Sequence, residues 1–256
     1  MKILVISDVH ANIAALNTIL QQEPDYDLLC CAGDYTDYGI YPVEVIERFR
    51  NLKNTVLVYG NHDLHVLNTY KSNEWKNVED GKYKWVHYNC ERLRETEIAW
   101  LEKLPETGYF EADGWKYGIA HQYDDGYGVI ESRHAFEKYW SDHYGEGKGG
   151  KRRLIFGHTH RQCVHILGEG MEWMNPGSAS YRRPDDPDKT AHYATIVNGE
   201  ICLKQIAYDR EPQLAAAREF LKTDKMMRTE IQDFLFFFGN AKTSRDPLPD
   251  RGHAVK

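Results

Sequence analysis

The sequence has 256 residues, of which 41% are hydrophobic and 28% are charged. Proportions of this kind supply a sizeable core and exclude a disordered, collagen-like or coiled-coil chain. The formal net charge of −7 leaves no excess of positive charge to neutralise a nucleic-acid backbone, which argues against a dedicated nucleic-acid binder.

Three features bear on the compartment of the protein. The apolar run at residues 234–238 is far shorter than the roughly 20 residues of a membrane span. The N-terminal segment reaches Asp8 too soon for the apolar core of a secretory signal. The five cysteines have an odd count and no CxxC spacing, which favours reduced, buried thiols. The sequence therefore predicts a cytoplasmic protein without a membrane segment.

The first 60 residues alternate between strand and helix patterns. Apolar and β-branched runs at 2–7, 28–32 and 55–59 predict three strands, and apolar positions at helical spacing predict helices over 11–22 and 43–52. Strands joined by helices in this way form a parallel sheet with crossover connections.

The remaining chain divides into a helical and a β-rich part. Residues 64–105 lack a strand pattern and predict a mostly helical insertion, either a lid or a dimer contact. Strands are expected at 115–120, 154–156, 163–167, 172–174, 193–197 and 201–206, with covering helices at 131–140 and 212–222. This pattern predicts a second sheet packed on the first, a single domain over residues 1–240 and a mobile tail over 241–256.

Four short motifs follow predicted strands, in the loops where open α/β sheets build their sites. They are Asp8-Val9-His10, Gly33-Asp34-Tyr35-Thr36-Asp37, Gly60-Asn61-His62-Asp63 and Gly157-His158-Thr159-His160. Taken alone, the first is explained as a turn with an N-cap, the second says almost nothing, and the third is explained as a tight turn, because Asn, Asp and Gly dominate turns. All four in order, each after a strand, predict a metal site instead.

The side chains of these motifs indicate the class of metal. Carboxylates, imidazoles and an amide without thiolate suit divalent Mn, Fe, Zn or Co better than a copper or iron–sulfur centre. One bridging carboxylate can hold two such ions about 3.5 to 4 Å apart. We therefore expect two divalent metal ions, with Mn supporting activity in vitro.

The order D-x-H, G-D-x-x-D, G-N-H-D/E, a lone histidine and G-H-x-H resembles the calcineurin-like metallophosphoesterase family over residues 8–160. The resemblance implies an α/β fold in which a two-sheet β-sandwich is flanked by helices in four layers, αββα. It also implies two metal positions that share a bridging carboxylate. The implied ligands are Asp8, His10 and His160 for the first metal, Asp34 as the bridge, and Asn61, His121 and His158 for the second.

The resemblance implies catalytic roles as well. His62 resembles the family's general acid, which protonates the leaving alkoxide, and Asp37 resembles the carboxylate that orients it. The metal pair would supply a bridging hydroxide for in-line attack on phosphorus. The implied function is a metal-dependent phosphoesterase, with phosphodiester or nucleotide-like substrates favoured.

Two departures from subfamily patterns narrow the substrate. The Ser/Thr protein phosphatases and the symmetrical dinucleoside-tetraphosphate hydrolases carry Arg where this chain has Tyr38, and Asp63 stands where the protein phosphatases have Glu. The chain is more similar to small bacterial and archaeal phosphodiesterase-type members, which share the segment 175–178. We expect Tyr38 and Tyr123 to stack on the substrate, although these tyrosines could instead pack the loops. We expect Arg182 to bind phosphate, the alternative being an exposed, solvated side chain.

Three other functions compete with this one. A phosphomonoesterase or nucleotide pyrophosphohydrolase would use the same metals with a different pocket. A DNA nuclease is disfavoured by the acidic charge. A non-catalytic scaffold would lack ligands, whereas every ligand position is filled here. The expected partner is a small phosphorylated substrate, with nucleotides among the candidates, and a homodimer stays open.

Overall fold

The computed structural model describes residues 1–145 and 149–240, which contain ten strands and eight α-helices. The strands are β1 (Lys2–Ile6), β2 (Leu28–Cys31), β3 (Thr55–Leu57), β4 (Thr107–Ala112), β5 (Trp115–Ala120), β6 (Lys151–Ile155), β7 (Cys163–Gly168), β8 (Met171–Asn175), β9 (Ala191–Val197) and β10 (Glu200–Ile206). The helices are α1 (Ile13–Gln22), α2 (Pro42–Arg50), α3 (Asn61–Ser72), α4 (Trp85–Arg92), α5 (Glu95–Leu101), α6 (Arg133–Tyr144), α7 (Glu211–Glu219) and α8 (Arg228–Phe238). The tail expected at 241–256 lies outside the described residues.

The strands form two mixed sheets of five strands each. In the first sheet, β1, β2 and β3 are parallel, and β9 and β10 continue the sheet beside β1 in antiparallel pairing. In the second sheet, β5, β6 and β8 are parallel, and β4 and β7 are antiparallel edges. The sequence placed β9 and β10 with the second sheet, and this assignment is wrong because β9 pairs with β1 from the other end of the chain.

Side chains alternate along the strands and so separate the layers. Ile3 and Val5 of β1 point into the core between the two sheets, whereas Leu4 and Ile6 point to the outer face, where α1 and α2 pack. The outer face of the second sheet is covered by α6, through Phe136 among others. The structure confirms the predicted α/β fold of two sheets flanked by helices.

The helices begin where the sequence supplies caps. The Asn12 side chain accepts the Ala15 N–H at the start of α1, and Pro42 occupies the first turn of α2. Between β3 and β4 the described elements are helical, as predicted for 64–105, and include the 3₁₀ turn Glu74–Asn77. A third apolar cluster joins α4 to α7 and α8.

Two elements were not predicted from the sequence. Strand β4 is an edge strand with several exposed side chains, which weakens its apolar pattern. Helix α8 contains the run 234–238, which looks too short and too uniformly apolar to show a helical face. The helices predicted at 131–140 and 212–222 are observed as α6 and as α7 followed by the 3₁₀ turn Phe220–Lys222. Within the described ranges, the chain has no helix that is both long and apolar enough to cross a membrane.

Candidate metal centre

The predicted ligands come together at the carboxyl ends of strands from both sheets. Asp8 and His10 follow β1, and Asp34 follows β2. Asn61 opens α3 after β3. His121 follows β5 of the second sheet, and His158 and His160 follow β6. We call these seven side chains the candidate ligands.

Five of the candidate ligands have a left-handed backbone. Their φ angles lie between 44° and 64° in Asp8, His10, Asp34, His158 and His160. A residue in this conformation turns the chain sharply out of strand geometry, which lets two ligands separated by one residue reach the same site. The conformation is strained for a residue with a Cβ, and strain of this kind concentrates at functional sites.

Three candidate ligands form a first cluster. His160 Nε2 lies 3.2 Å from Asp8 Oδ1 and 3.4 Å from His10 Nε2. The other ring nitrogen of His10 lies 3.2 Å from the Thr36 carbonyl, a contact that fixes the ring orientation. The ligand atoms of this cluster lie within 4.8 Å of one another, a spacing that suits a single cation.

A second cluster lies beside the first and contains Asp34, whose carboxylate also approaches His10 of the first cluster. Asp34 Oδ2 is 3.2 Å from His121 Nε2 and 3.8 Å from His10 Nε2. Asn61 Oδ1 lies 2.8 Å from His121 Nε2 and 3.0 Å from His158 Nδ1. Asp34 therefore stands between the two clusters, the position that a bridging carboxylate requires.

The buried charge of the site fits divalent cations. Burial raises the pKa of Asp8, but His160 outweighs it and lowers that pKa to about 2. Burial also opposes ionisation of Asp34, yet His121 holds its pKa well below the usual value. Asp8 Oδ2 is buried and accepts no hydrogen bond from the described residues. Buried carboxylates with an oxygen left over are stable only beside positive charge, which bound cations would provide.

The histidine pKa values support the same reading. Burial lowers the pKa of His10 to about 4, so that the ring is neutral at pH 7 and offers a lone pair. Burial disfavours a charge on His121 too, but the carboxylate of Asp34 raises its pKa to about 9.

A separate pair, His62 and Asp37, lies next to the candidate ligands. His62 Nδ1 is 2.9 Å from Asp37 Oδ2, and the His62 backbone N–H donates to Asp34 Oδ1 at 2.9 Å. Burial lowers the pKa of His62, but the charge of Asp34 and the hydrogen bond to Asp37 outweigh it and raise the pKa to about 9. The side chain of His62 is 19% exposed, which leaves it accessible to a ligand.

Asp37 has two further partners. His65 Nδ1 lies 3.3 Å from the same carboxylate oxygen, and Asn89 of α4 accepts the Asp37 backbone N–H at 3.0 Å. Asp37, His62 and His65 also satisfy the spacing of a metal-binding group. The sequence analysis missed Asn89, because α4 comes 52 residues later and carries no motif.

Asp63 holds the loops of the site together. Its Oδ2 accepts the backbone N–H groups of Asp34 and Gly60, each at 2.9 Å. Its Oδ1 accepts from the Tyr35 and Thr36 N–H groups and from Thr36 Oγ1. Sequence reasoning noted Asp63 only as a replacement for Glu, whereas the structure shows a buried carboxylate that joins two ligand-bearing loops.

The three residues expected to contact substrate lie in different surroundings. The Tyr38 ring lies 4.5 Å from the His62 ring, beside the candidate ligands. Tyr123 packs against Tyr139 and lines a cavity of about 240 Å³ that the candidate ligands Asn61 and His121 also line. Arg182 is buried, and its guanidinium donates to the carbonyls of Ser178 and Thr190. Backbone carbonyls thus engage the guanidinium of Arg182, which also lines the cleft beside the candidate ligands, and its contact with phosphate stays a prediction.

These features define an α/β protein with a candidate metal centre at the edge where its two sheets meet. A sequence model of the calcineurin-like phosphoesterase superfamily domain matches residues 1–199. The chain belongs to this superfamily of metal-dependent phosphoesterases, as its motifs indicated.

Two curated proteins are similar to this chain in sequence. The uncharacterized protein MJ0912 of Methanocaldococcus jannaschii is 28% identical over 249 residues, covering 86% of this chain and 97% of the relative. A symmetrical bis(5′-nucleosyl)-tetraphosphatase of Baumannia cicadellinicola is 39% identical over 74 residues, only 27% of this chain and 26% of that enzyme. The second match is local, so it does not transfer the activity of the whole enzyme.

Solved structures share the fold. The metallophosphoesterase from Sphaerobacter thermophilus has a TM-score of 0.66 at 21% identity, covering 91% of this chain and 98% of that one. The hypothetical protein PH1004 from Pyrococcus horikoshii OT3 has a TM-score of 0.71 at 16% identity, covering 94% and 99%. At these identities the likeness shows the fold alone.

Proposed function

We propose that this protein is a dinuclear metal-dependent phosphoesterase that hydrolyses small phosphodiester or nucleotide-like substrates, with His62 as general acid. The observation that carries the proposal is the position of Asp34. Its carboxylate lies between two groups of candidate ligands, with Oδ2 3.2 Å from His121 Nε2 and 3.8 Å from His10 Nε2. In this proposal the seven candidate ligands hold the two cations, with Asp34 shared.

The chain's own residues would place and protonate the substrate. When bound, two divalent cations lower the pKa of an attacking water and neutralise charge that develops on phosphorus. Asp37 engages Nδ1 of His62 at 2.9 Å, so Nε2 is the nitrogen that donates a proton to the leaving oxygen. Tyr38 packs on the His62 ring and limits its movement.

Turnover of two chromogenic esters tests the proposal. With Mn²⁺, the purified chain is expected to hydrolyse bis(p-nitrophenyl) phosphate faster than p-nitrophenyl phosphate. Asp34→Asn is expected to abolish diester turnover and to lower the metal content. Asp27→Asn is the matched control, because Asp27 is an exposed carboxylate that, among the described residues, accepts only from the Lys2 N–H. Equal turnover in the Asp34 variant and in the wild type would contradict the proposal.

A second variant tests the acid separately. His62→Ala is expected to keep the metal content and to slow turnover by about 10²- to 10⁴-fold, most of all for alkyl leaving groups, whose alkoxides require protonation. An unchanged rate with alkyl esters would remove His62 from the mechanism. Bound metal without turnover of either ester would favour the scaffold function.

A further inference from the structure

A cleft of about 520 Å³ opens directly beside the candidate metal centre. Asp34, Asn61, His158 and His160 form its floor. Its volume lies within the range of pockets that hold small organic ligands, which is about 300 to 1,000 Å³. A phosphoryl group on the metal centre would therefore have room for one of its substituents inside the cleft.

One side of the cleft is the ring of Tyr127. This side chain is 69% exposed, although its ring is held in place. The ring stacks on His158, with centroids 4.8 Å apart and planes inclined by 12°. His158 Nε2 lies 3.1 Å from the Gly126 carbonyl, so the loop that carries Tyr127 is tied to the metal centre. One face of the tyrosine is thus covered by an imidazole, and the ring is presented at the mouth of the cleft.

Three further aromatic rings that pack in a row line the same cleft. Tyr38 stacks on Tyr181 at a centroid distance of 4.7 Å and an angle of 15°, and Tyr181 packs on Phe237 at 4.1 Å. Phe237 belongs to α8, which lies beyond residues 1–199, the part that the family model matches. The row is therefore completed by a helix outside the family-matched segment.

A positive charge lies at the edge of the cleft. The Arg183 guanidinium carbon is 5.7 Å from the centroid of the Tyr127 ring, and the side chain is 37% exposed. Its nearest acidic partner is Asp185, at 3.5 Å. An accessible guanidinium over an aromatic face can contact both a phosphate oxygen and a planar ring.

We propose that this cleft binds the base of a nucleotide, with Tyr127 as the stacking surface, the row of Tyr38, Tyr181 and Phe237 as a further wall, and Arg183 as a phosphate contact. The inference rests on the proposed function for the position of the phosphorus. A large exposed aromatic ring that is already fixed in orientation loses little entropy when a base stacks on it. Stacking tolerates different bases because each has a π face, so the expected preference is for a base over no base.

Binding of two ligands that differ only in the base tests the inference. Adenosine 5′-monophosphate and ribose 5-phosphate share the sugar and the phosphate. Isothermal titration calorimetry of the Mn²⁺-loaded full chain measures both affinities, with phosphate release followed in parallel. We expect the nucleotide to bind at least about tenfold more tightly, since stacking on one aromatic side chain contributes roughly fivefold to a hundredfold.

Two variants and a control locate the stacking surface, and a fourth variant tests the phosphate contact. Tyr127→Ala should reduce the ratio of the two affinities by about fivefold to a hundredfold, and Tyr127→Phe should preserve it because the π face remains. Tyr109→Ala is the matched control, since Tyr109 is a 46% exposed tyrosine on β4. Arg183→Ala should weaken both ligands, because both carry the phosphate.

The outcomes separate this inference from the proposed function. Equal binding of the two ligands by the wild type would overturn the inference. A Tyr127→Ala variant that weakens both ligands equally would overturn it too, because Tyr127 would then act only by supporting His158. A preserved base preference without any ester turnover would refute the proposed function and leave the base site standing.

Discussion

The carboxylate of Asp63 offers a prediction whose magnitude follows from its hydrogen bonds. In Asp63→Asn one oxygen becomes an NH₂ group. In the better of its two orientations the amide oxygen replaces Oδ1 and keeps the three bonds from Tyr35 and Thr36. The NH₂ group then faces the N–H groups of Asp34 and Gly60, which were bonded at 2.9 Å. Two buried donors lose their acceptor, at about 1–3 kcal/mol each, so we expect a loss of roughly 2–6 kcal/mol.

Urea unfolding of the metal-free protein measures this loss. Burial and the charge of Asp34 raise the pKa of Asp63 to about 7, so the comparison belongs at pH 8, where the wild-type group is ionised. Asp27→Asn is the control and should stay within about 0.5 kcal/mol of the wild type, because its exposed amide can rotate to accept the same N–H. A loss in Asp63→Asn below about 1 kcal/mol would refute the role of Asp63 as the group that joins the two loops.

Three further predictions concern the site. Asp37→Asn should lower the pKa of His62 by about one to three pH units, because the carboxylate that stabilises the protonated ring is lost. The basic limb of the pH profile of kcat/KM, where His62 loses its proton, should therefore move to lower pH. A limb that does not move would contradict the pairing of His62 with Asp37. Gly60→Ala should weaken metal binding by more than about tenfold in a metal titration, because the added Cβ would overlap the Asp34 carboxylate. Gly81→Ala, where the Cβ meets no atom within 4 Å and the cost is backbone strain at a positive φ, should not. Mn²⁺ at about 100 times its Kd should raise the free energy of unfolding by about 2.7 kcal/mol per site, compared with the EDTA-treated protein. A similar gain in Asp34→Asn would argue against Asp34 as a ligand shared by both metal ions.

Local patterns predicted the first half of the fold well. The alternation from β1 to β3 is encoded in short segments, each with its own strand or helix spacing. The place of β9 depends on pairing with β1, about 190 residues away, and β10 pairs with β9, so no local pattern carries that information. In α8 the buried positions Ile231 and Phe234 are spaced as on a helical face, but the adjacent phenylalanines hide this period.

The site, like the fold, was predicted only where local motifs encode it. The motifs identified residues that the structure brings together, because ligand types after successive strands are visible in sequence and parallel strands end at one edge. The supporting contacts were not visible, since Asn89 and Phe237 reach the site from helices with no motif of their own. The surroundings of Tyr123 and Arg182 were not visible either, because being near a motif in sequence does not decide which way a side chain points.

The loops that carry the candidate ligands hold non-glycine residues in a left-handed backbone conformation, which glycine adopts with less strain. Among the described residues, twelve non-glycine positions have a positive φ, and eight of them lie at Asp8, His10, Ala11, Asp34, Asp37, Tyr38, His158 and His160. Each left-handed residue with a Cβ costs about 1–2 kcal/mol that glycine would not. The loops hold this conformation through backbone bonds such as Asp8 N–H to the Gly33 carbonyl at 3.0 Å. Strained positions of this kind concentrate at functional sites, and eight of the twelve described positions fall in the loops that carry the candidate ligands.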